Sequence, residues 1–113
     1  MCKNPSNKII NIAIKEASKS PMKYKIGAVI YKNNEILSTG FNRWLHLGPT
    51  KYLPKAKYSI HAEADALFGL SRRLTYGSSI FIFRQGNLIA KPCKNCQHLI
   101  DKAGIQHIFY SPI

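Results

Sequence analysis

The first third of the chain combines an amphipathic stretch with two dense apolar runs. Residues 7–18 place their apolar side chains at helical spacing, so we expect a helix with one buried face. The β-branched segment 26–32 predicts a buried strand, and segment 35–41 predicts its antiparallel partner. Asn33 and Asn34 separate the two segments. Because asparagine tolerates a positive φ angle, we expect a tight hairpin turn between these strands.

The remainder of the chain predicts a long loop and then two helices that alternate with two strands. Residues 42–58 contain two prolines and several basic residues, which is typical of a loop. We expect a second helix over 60–74, a strand over 78–84, a third helix over 92–104 and a last strand over 105–110. The order α-β-β-α-β-α-β predicts the α/β class. The first two strands would be antiparallel, the last two would be parallel, and three helices would cover the sheet.

Length and composition indicate an ordinary globular chain. At 113 residues with 45% apolar residues, residues 1–113 are expected to form a single domain with one core. The chain has no apolar run of about 18 residues, so we expect no membrane partner. Its first residues lack the apolar stretch and cleavage site of a signal peptide. The sequence therefore predicts an intracellular, cytoplasmic protein.

The charge balance is strongly basic. Seventeen Lys and Arg residues against five Asp and Glu residues give a formal net charge of +12. Such an excess favours polyanionic partners, either single-stranded nucleic acid or a phosphorylated small substrate. The chain is rich in Lys, Ile and Asn together, so a bias in composition is a further explanation of the charge.

Two cysteines and one histidine have the spacing of a metal site. An odd number of cysteines without a secretory signal argues against a disulfide framework. Cys93 and Cys96 open the third predicted helix in a Cys-x-x-Cys arrangement, and His61 lies at the start of the second. Three protein ligands with one open position are typical of a catalytic zinc site. We therefore expect these residues to bind one Zn²⁺ ion, with water as the fourth ligand.

Glu63 is the candidate proton carrier beside that metal. Positions i and i+2 are about 200° apart on a regular helix, so His61 and Glu63 can reach one site only at a helix end. The small Ala62 between them leaves its backbone N–H free to face a ligand. The free N–H groups and the dipole at the helix starts are expected to favour the thiolate forms of Cys93 and Cys96.

The segments HAE at 61–63 and PCKNC at 92–96 together resemble the H-x-E…P-C-x-x-C signature of the zinc-dependent cytidine and deoxycytidylate deaminase superfamily. Deoxycytidylate deaminases look like the nearest branch, and the resemblance extends over most of the chain. Lys91, directly before the PCKNC segment, departs from the residue types that are common in the family. The resemblance implies a three-layer α/β/α fold with a mixed sheet of four or five strands, and a homo-oligomer.

The resemblance also implies an activity. It is the hydrolytic deamination of cytosine to uracil in a cytidine nucleotide, above all dCMP. Glu63 would take a proton from the zinc-activated water and pass protons to N3 and to the departing amine. Asn42 matches the family asparagine that touches the sugar, and the N–H of Ala62 matches the donor to the pyrimidine carbonyl.

The predicted loop offers three more candidate substrate-binding residues, which follow from the residue types alone. Trp44 and His46 are able to stack on a base or ribose, or else pack on the sheet. Arg43 is able to contact a phosphate, or else remains solvated.

Two alternative functions stay open at this point. The substrate is cytosine or adenine within single-stranded DNA or RNA if the basic, aromatic loop serves as a stacking surface. In the other alternative, the chain is a non-catalytic, zinc-stabilised nucleic-acid-binding module. Its zinc would then be structural and would need a fourth ligand such as His98, His107 or Cys2.

Overall fold

A four-stranded mixed sheet lies at the centre of the protein. The computed structural model describes residues 4–46 and 57–113, with the side chains at 45–46 and 57–58 outside that description. In chain order, the elements are α1 (Asn7–Ser18), β1 (Ile26–Lys32), β2 (Glu35–Phe41), β3 (Arg43–His46), β4 (Lys57–Ile60), α2 (Ala62–Leu67), α3 (Arg72–Thr75), β5 (Ser79–Arg84), α4 (Lys94–Lys102) and β6 (His107–Tyr110).

The strand order in the main sheet is β2-β1-β5-β6. β1 is antiparallel to both β2 and β5, whereas β5 and β6 are parallel. The predicted mixed sheet of the α/β class, with an antiparallel first pair and a parallel last pair, is therefore confirmed. Asn33 and Asn34 have φ angles of +52° and +64°, which confirms the predicted hairpin turn.

Helices pack on both faces of the sheet because successive strand residues point to opposite sides. Val29 and Phe81 are fully buried on the face that contacts α1. Ile30 and Ile82 are buried on the other face, against Ala62 and Ala66 of α2 and Ile100 of α4. The three-layer α/β/α arrangement expected from the sequence is confirmed.

The predicted loop over 42–58 is partly wrong. Residues 43–46 and 57–60 form β3 and β4, an antiparallel two-stranded sheet in which Arg43 pairs with Ile60. Residues 47–56, the middle of the predicted loop, lie outside the described residues. The two strands are separated by ten residues of chain, so their pairing is not visible as a local turn. The prolines and basic residues of the stretch favour the interpretation as a loop.

The second predicted helix is also different in the structure. α2 begins at Ala62, because Ile60 belongs to β4, and it ends at Leu67. Phe68 leaves the helical path with a ψ of 125°, and Gly69 continues the turn with a φ of +78°. α3 follows as a separate short helix. The break leaves Phe68 79% exposed, although its apolar character predicted a buried helical position.

No helix in the described part of the chain has both the length and the apolar character needed to cross a membrane.

Gly40 positions α2 directly against β2. A Cβ atom at this glycine would lie 2.4 Å from the Ala66 nitrogen and 2.7 Å from the Ala62 carbonyl oxygen. Ser38, two residues earlier on the strand, donates a 2.7 Å hydrogen bond to the Ala66 carbonyl, which holds the helix in this place. The backbone of α2 therefore reaches the sheet only because residue 40 has no side chain.

We expect Gly40→Ala to destabilise the protein and displace the start of α2. The new Cβ atom would clash with backbone atoms, which are unable to move away as a flexible side chain does. The free energy of unfolding is therefore expected to fall by about 1–3 kcal/mol or more. The measurement is the free energy of unfolding in urea. Thr39→Ser is the control, because it changes the neighbouring residue without adding an atom. Equal stability of Gly40→Ala and the unmodified protein would contradict the close approach of α2.

Candidate metal centre and substrate cleft

The starts of α2 and α4 bring the three predicted metal ligands together. His61 is the N-cap residue of α2, Cys93 is that of α4, and Cys96 lies in the first turn of α4. One ligand atom from each residue lies within 4.8 Å of the other two. The Nδ1 atom of His61 is 3.2 Å from the Cys96 sulfur and 3.6 Å from the Cys93 sulfur.

This geometry fits a zinc ion. Tetrahedral Zn²⁺ binds nitrogen and sulfur at about 2.0–2.3 Å, which puts neighbouring ligand atoms roughly 3.5 Å apart. The two distances from His61 Nδ1 bracket that value. Among the described residues, neither His98 nor His107 belongs to the cluster. Cys2, the other candidate fourth ligand, lies outside the described residues.

The prediction that the helix starts favour both thiolates is wrong for Cys96. For the protein atoms alone, burial of Cys96 and the nearby Glu63 carboxylate raise the pKa of the Cys96 thiol. Burial disfavours the charged form of the thiol, and the negative Glu63 carboxylate disfavours it further. A bound divalent cation reverses this balance, because metal coordination deprotonates a thiol. The environment of Cys96 therefore suits a metal ligand better than a free thiolate.

Glu63 lies beside the metal ligands without joining them. It is the second residue of α2 and only 5% exposed, and it shares a cleft with His61 and Cys93. Its effect on the pKa of Cys96 shows that its carboxylate is close to that sulfur. Ala62 is fully buried at the first position of α2, where a backbone N–H has no partner within the helix. A carboxylate and a free N–H donor thus flank the three ligand residues.

The cleft has a volume of about 300 Å³, which is enough for a small ligand. Met22, Ile26, Ile60 and Ile89 supply apolar wall. Its polar lining is more varied and includes Asn42, Ser59, Glu63, Arg84 and Lys91. This mixture of apolar wall and a few polar groups is typical of a binding site for a small organic molecule.

Asn42 is fixed in the cleft wall by its amide group. Its Oδ1 atom accepts a 2.9 Å hydrogen bond from the Ile26 N–H, and its Nδ2 atom donates to the Tyr24 carbonyl at 2.6 Å. The residue is 8% exposed. An amide has a second hydrogen and a second oxygen lone pair, so Asn42 is able to hold the wall and contact a ligand as well.

Two of the other candidate substrate residues, Arg43 and Trp44, lie outside the cleft lining. Arg43 forms an ion pair with Asp65, with 2.8 Å between Nη2 and Oδ1, and Asp65 also accepts the Phe41 N–H at 3.1 Å. Trp44 is 42% exposed, and neither it nor Arg43 lines the cleft. The backbone of His46 belongs to β3, but its side chain lies outside the described part. Substrate contacts by these residues stay predictions.

Sequence reasoning missed two basic residues and one aromatic residue in the cleft. Arg84 ends β5, Lys91 lies shortly before Cys93, and Tyr24 lies before β1. A basic residue that closes an otherwise apolar strand was the available signal for Arg84. The unusual residue type at position 91 was the signal for Lys91.

Comparison with known proteins gives one family and several relatives. The family model described as "Cytidine and deoxycytidylate deaminase zinc-binding region" matches residues 3–111. A curated relative named "Deoxycytidylate deaminase" from Mycobacterium phage D29 is 29% identical over 104 aligned residues, which cover 76% of this chain and 77% of the relative.

Solved structures show the same fold. The dCMP deaminase of cyanophage S-TIM5, in complex with dCMP and dUMP, superposes with a TM-score of 0.60 at 24% identity, over 93% of this chain and 82% of that one. The cytidine deaminase of Mycobacterium tuberculosis superposes with a TM-score of 0.63 at 15% identity, over 94% and 83% of the two chains.

Proposed function

This chain belongs to the cytidine and deoxycytidylate deaminase family, and we propose that it catalyses the zinc-dependent hydrolytic deamination of cytosine to uracil in dCMP. The observation that carries the proposal is the convergence of His61, Cys93 and Cys96 next to a cleft that Glu63 lines. The choice of dCMP is supported by the name of the mycobacteriophage relative and by the ligands of the cyanophage enzyme.

His61, Cys93 and Cys96 would hold one Zn²⁺ ion, with water as the fourth ligand. When bound in such a site, zinc polarises a water molecule and lowers its pKa to about 7. The ligand residues contribute by fixing the position of the ion. Cys93 and Cys96 belong to one helix start and His61 to another, so the packing of α2 and α4 on the sheet sets their separation.

Glu63 moves the protons in the proposed reaction. Its carboxylate accepts a proton from water and gives it to N3 of the ring, which makes C4 more open to attack by the water oxygen. Glu63 then takes the second proton from the hydroxyl group now on C4 and gives it to the amino group. The carbon–nitrogen bond breaks, the C4 carbonyl forms and ammonia leaves. Water and cytosine are consumed, uracil and ammonia are formed, and Glu63 returns to its starting state.

Two other groups would orient the nucleotide. The backbone N–H of Ala62 would donate to the pyrimidine carbonyl, and the free hydrogen or lone pair of Asn42 would bind the sugar. Because both groups are buried and fixed, they would place the ring against Glu63 with little loss of side-chain entropy.

Two further parts of the proposal concern partners. A cytosine within single-stranded nucleic acid is the alternative substrate, favoured by the net charge of +12. β2 and β6 are the edge strands of the main sheet. Because an edge strand is able to pair with another chain, we also propose a homo-oligomer.

The test is a mass measurement on zinc-loaded protein given dCMP in one tube and a cytosine-containing single-stranded oligonucleotide in another. We expect the mass change of an amine-to-oxygen exchange in the dCMP tube, with Glu63→Gln protein as the inactive control. A change in the oligonucleotide alone would transfer the activity to polynucleotides. If folded, zinc-loaded protein altered neither substrate, the proposed function would be wrong.

A further inference from the structure

Arg84 presents an organised cation to the cleft. Its guanidinium carbon lies 4.5 Å from the centroid of the Tyr24 ring, within the range of a cation–π contact. Its backbone N–H donates to the Ser111 hydroxyl at 3.0 Å, and Ser111 is fully buried. The strand and the serine therefore hold the backbone at residue 84, and the tyrosine ring covers the guanidinium.

One donor of this cation is unused. Within the described part of the chain, Arg84 Nε is buried without a hydrogen-bond partner. The ion pairs found there join Lys19 with Glu16 and Arg43 with Asp65, so they leave Arg84 without a carboxylate partner. A buried N–H of a charged group is unfavourable unless a ligand or water accepts it. Within the described residues no carboxylate or carbonyl oxygen engages the guanidinium, so its positive charge remains for an anionic ligand in the cleft.

The cleft lining contains both positively and negatively charged side chains. Arg84 and Lys91 are the basic residues of the lining, and Glu63 is its carboxylate. Glu63 shares the lining with His61 and Cys93, at the end of the cleft where the candidate metal ligands lie. The planar guanidinium fork of arginine matches the oxygen atoms of a phosphate group, and a lysine adds a second positive charge.

The hydrogen bonds of the wall place this cation next to Asn42. The Asn42 amide donates to the carbonyl of Tyr24, and the ring of the same tyrosine covers Arg84. Asn42, Tyr24 and Arg84 therefore follow one another along the cleft. If the sugar lies at Asn42, the group attached to the sugar reaches Arg84 next.

We propose that Arg84, held by Tyr24 and assisted by Lys91, binds the 5′-phosphate of the substrate and makes the enzyme selective for nucleotides over nucleosides. This inference rests on the proposed function, because the sugar position at Asn42 belongs to it. The phosphate is the terminal group of a free nucleotide or a phosphodiester of a single strand, and the two sources are separated by experiment.

The experiment compares kcat/KM on dCMP with kcat/KM on deoxycytidine, which lacks the phosphate. For Arg84→Gln, we expect a loss of roughly 10- to 100-fold on dCMP and a change below about twofold on deoxycytidine. For Lys91→Gln, we expect kcat/KM to fall about three- to tenfold on dCMP and to stay unchanged on deoxycytidine. The loss is smaller than that of Arg84→Gln because Lys91 is exposed. Lys15→Gln removes an exposed lysine of α1 and should change neither value.

A second measurement is independent of turnover. Calorimetric titration with dUMP and with deoxyuridine should show weaker binding of dUMP to Arg84→Gln and unchanged binding of deoxyuridine. Arg84→Lys keeps the charge but not the guanidinium fork. Its affinity for dUMP should therefore lie between those of the unmodified protein and Arg84→Gln.

Two results would overturn the phosphate role. One is an equal loss of kcat/KM on dCMP and deoxycytidine by Arg84→Gln, and the other is unchanged dUMP binding. A loss restricted to a cytosine-containing oligonucleotide would support the phosphate role and assign it to a phosphodiester. If the variants still deaminate deoxycytidine, the proposed function holds even where the phosphate role of Arg84 is wrong. Absence of deamination in the unmodified protein would instead be a failure of the proposed function.

Discussion

Replacing Glu63 by glutamine is expected to lower kcat on dCMP by roughly 10³-fold or more and to leave bound zinc unchanged. A positioned acid–base group typically contributes about 10²–10⁴-fold to a rate. Glu63 is proposed to move every proton of the reaction, so its loss should lie in the upper part of that range.

Glutamine is the informative substitution at this position. Glu63 is 5% exposed, so a smaller residue would leave a cavity, whereas glutamine has nearly the same volume. The amide keeps a hydrogen-bonding group beside Cys96 but is unable to accept and release a proton. A loss of activity in this variant therefore reports on proton transfer and not on packing.

Glu35→Gln is the matched control, because it removes a carboxylate from the exposed end of the hairpin. Its kcat and zinc content should equal those of the unmodified protein. Retention of more than about a tenth of the turnover by Glu63→Gln would contradict the role of proton carrier. Loss of zinc from that variant would show that Glu63 binds the metal instead.

The clustering of His61, Cys93 and Cys96 was predictable because these residues lie in short local motifs. His61 and the Cys93–Cys96 pair both lie at helix starts, and a helix start is marked in the sequence by the change from polar residues to apolar spacing. The hairpin at Asn33 and Asn34 was predictable for the same reason, since its turn is encoded by two adjacent residues.

The features that were mispredicted or missed depend on contacts between distant segments. β3 and β4 are paired across residues 47–56, and each strand has only four residues, which is too short for its pattern to mark it reliably. The raised pKa of Cys96 depends on burial by the sheet and on Glu63, which the helix start alone does not show. The role proposed for Arg84 depends on the Tyr24 ring against its guanidinium, a contact between segments that are far apart in sequence.

Replacing Cys96 by alanine is expected to abolish zinc binding and, with it, deamination. Cys96 is 4% exposed, and its sulfur is 3.2 Å from His61 Nδ1. Because the position is buried, a water molecule does not easily take the place of the lost sulfur ligand. Alanine keeps an apolar side chain in the buried position. We expect zinc content to fall from about one ion per chain to less than about a tenth of that value, and activity to fall with it.

The loss should also appear in stability, because the ion joins the start of α2 to the start of α4. A ligand at about 1,000 times its dissociation constant stabilises a folded protein by about 4 kcal/mol. Zinc should therefore raise the melting temperature of the unmodified protein and leave that of Cys96→Ala unchanged. Calorimetric melting with and without added zinc measures this difference, and metal analysis after gel filtration measures the content.

Cys2→Ser and His98→Ala are the controls that separate a catalytic from a structural zinc site. A catalytic site with three protein ligands should keep its zinc and its activity in both variants, because water occupies the fourth position. Loss of zinc from either variant would identify a fourth protein ligand, which would close the site to water. In that case the metal would only stabilise the fold, and Glu63 would have no activated water from which to take a proton.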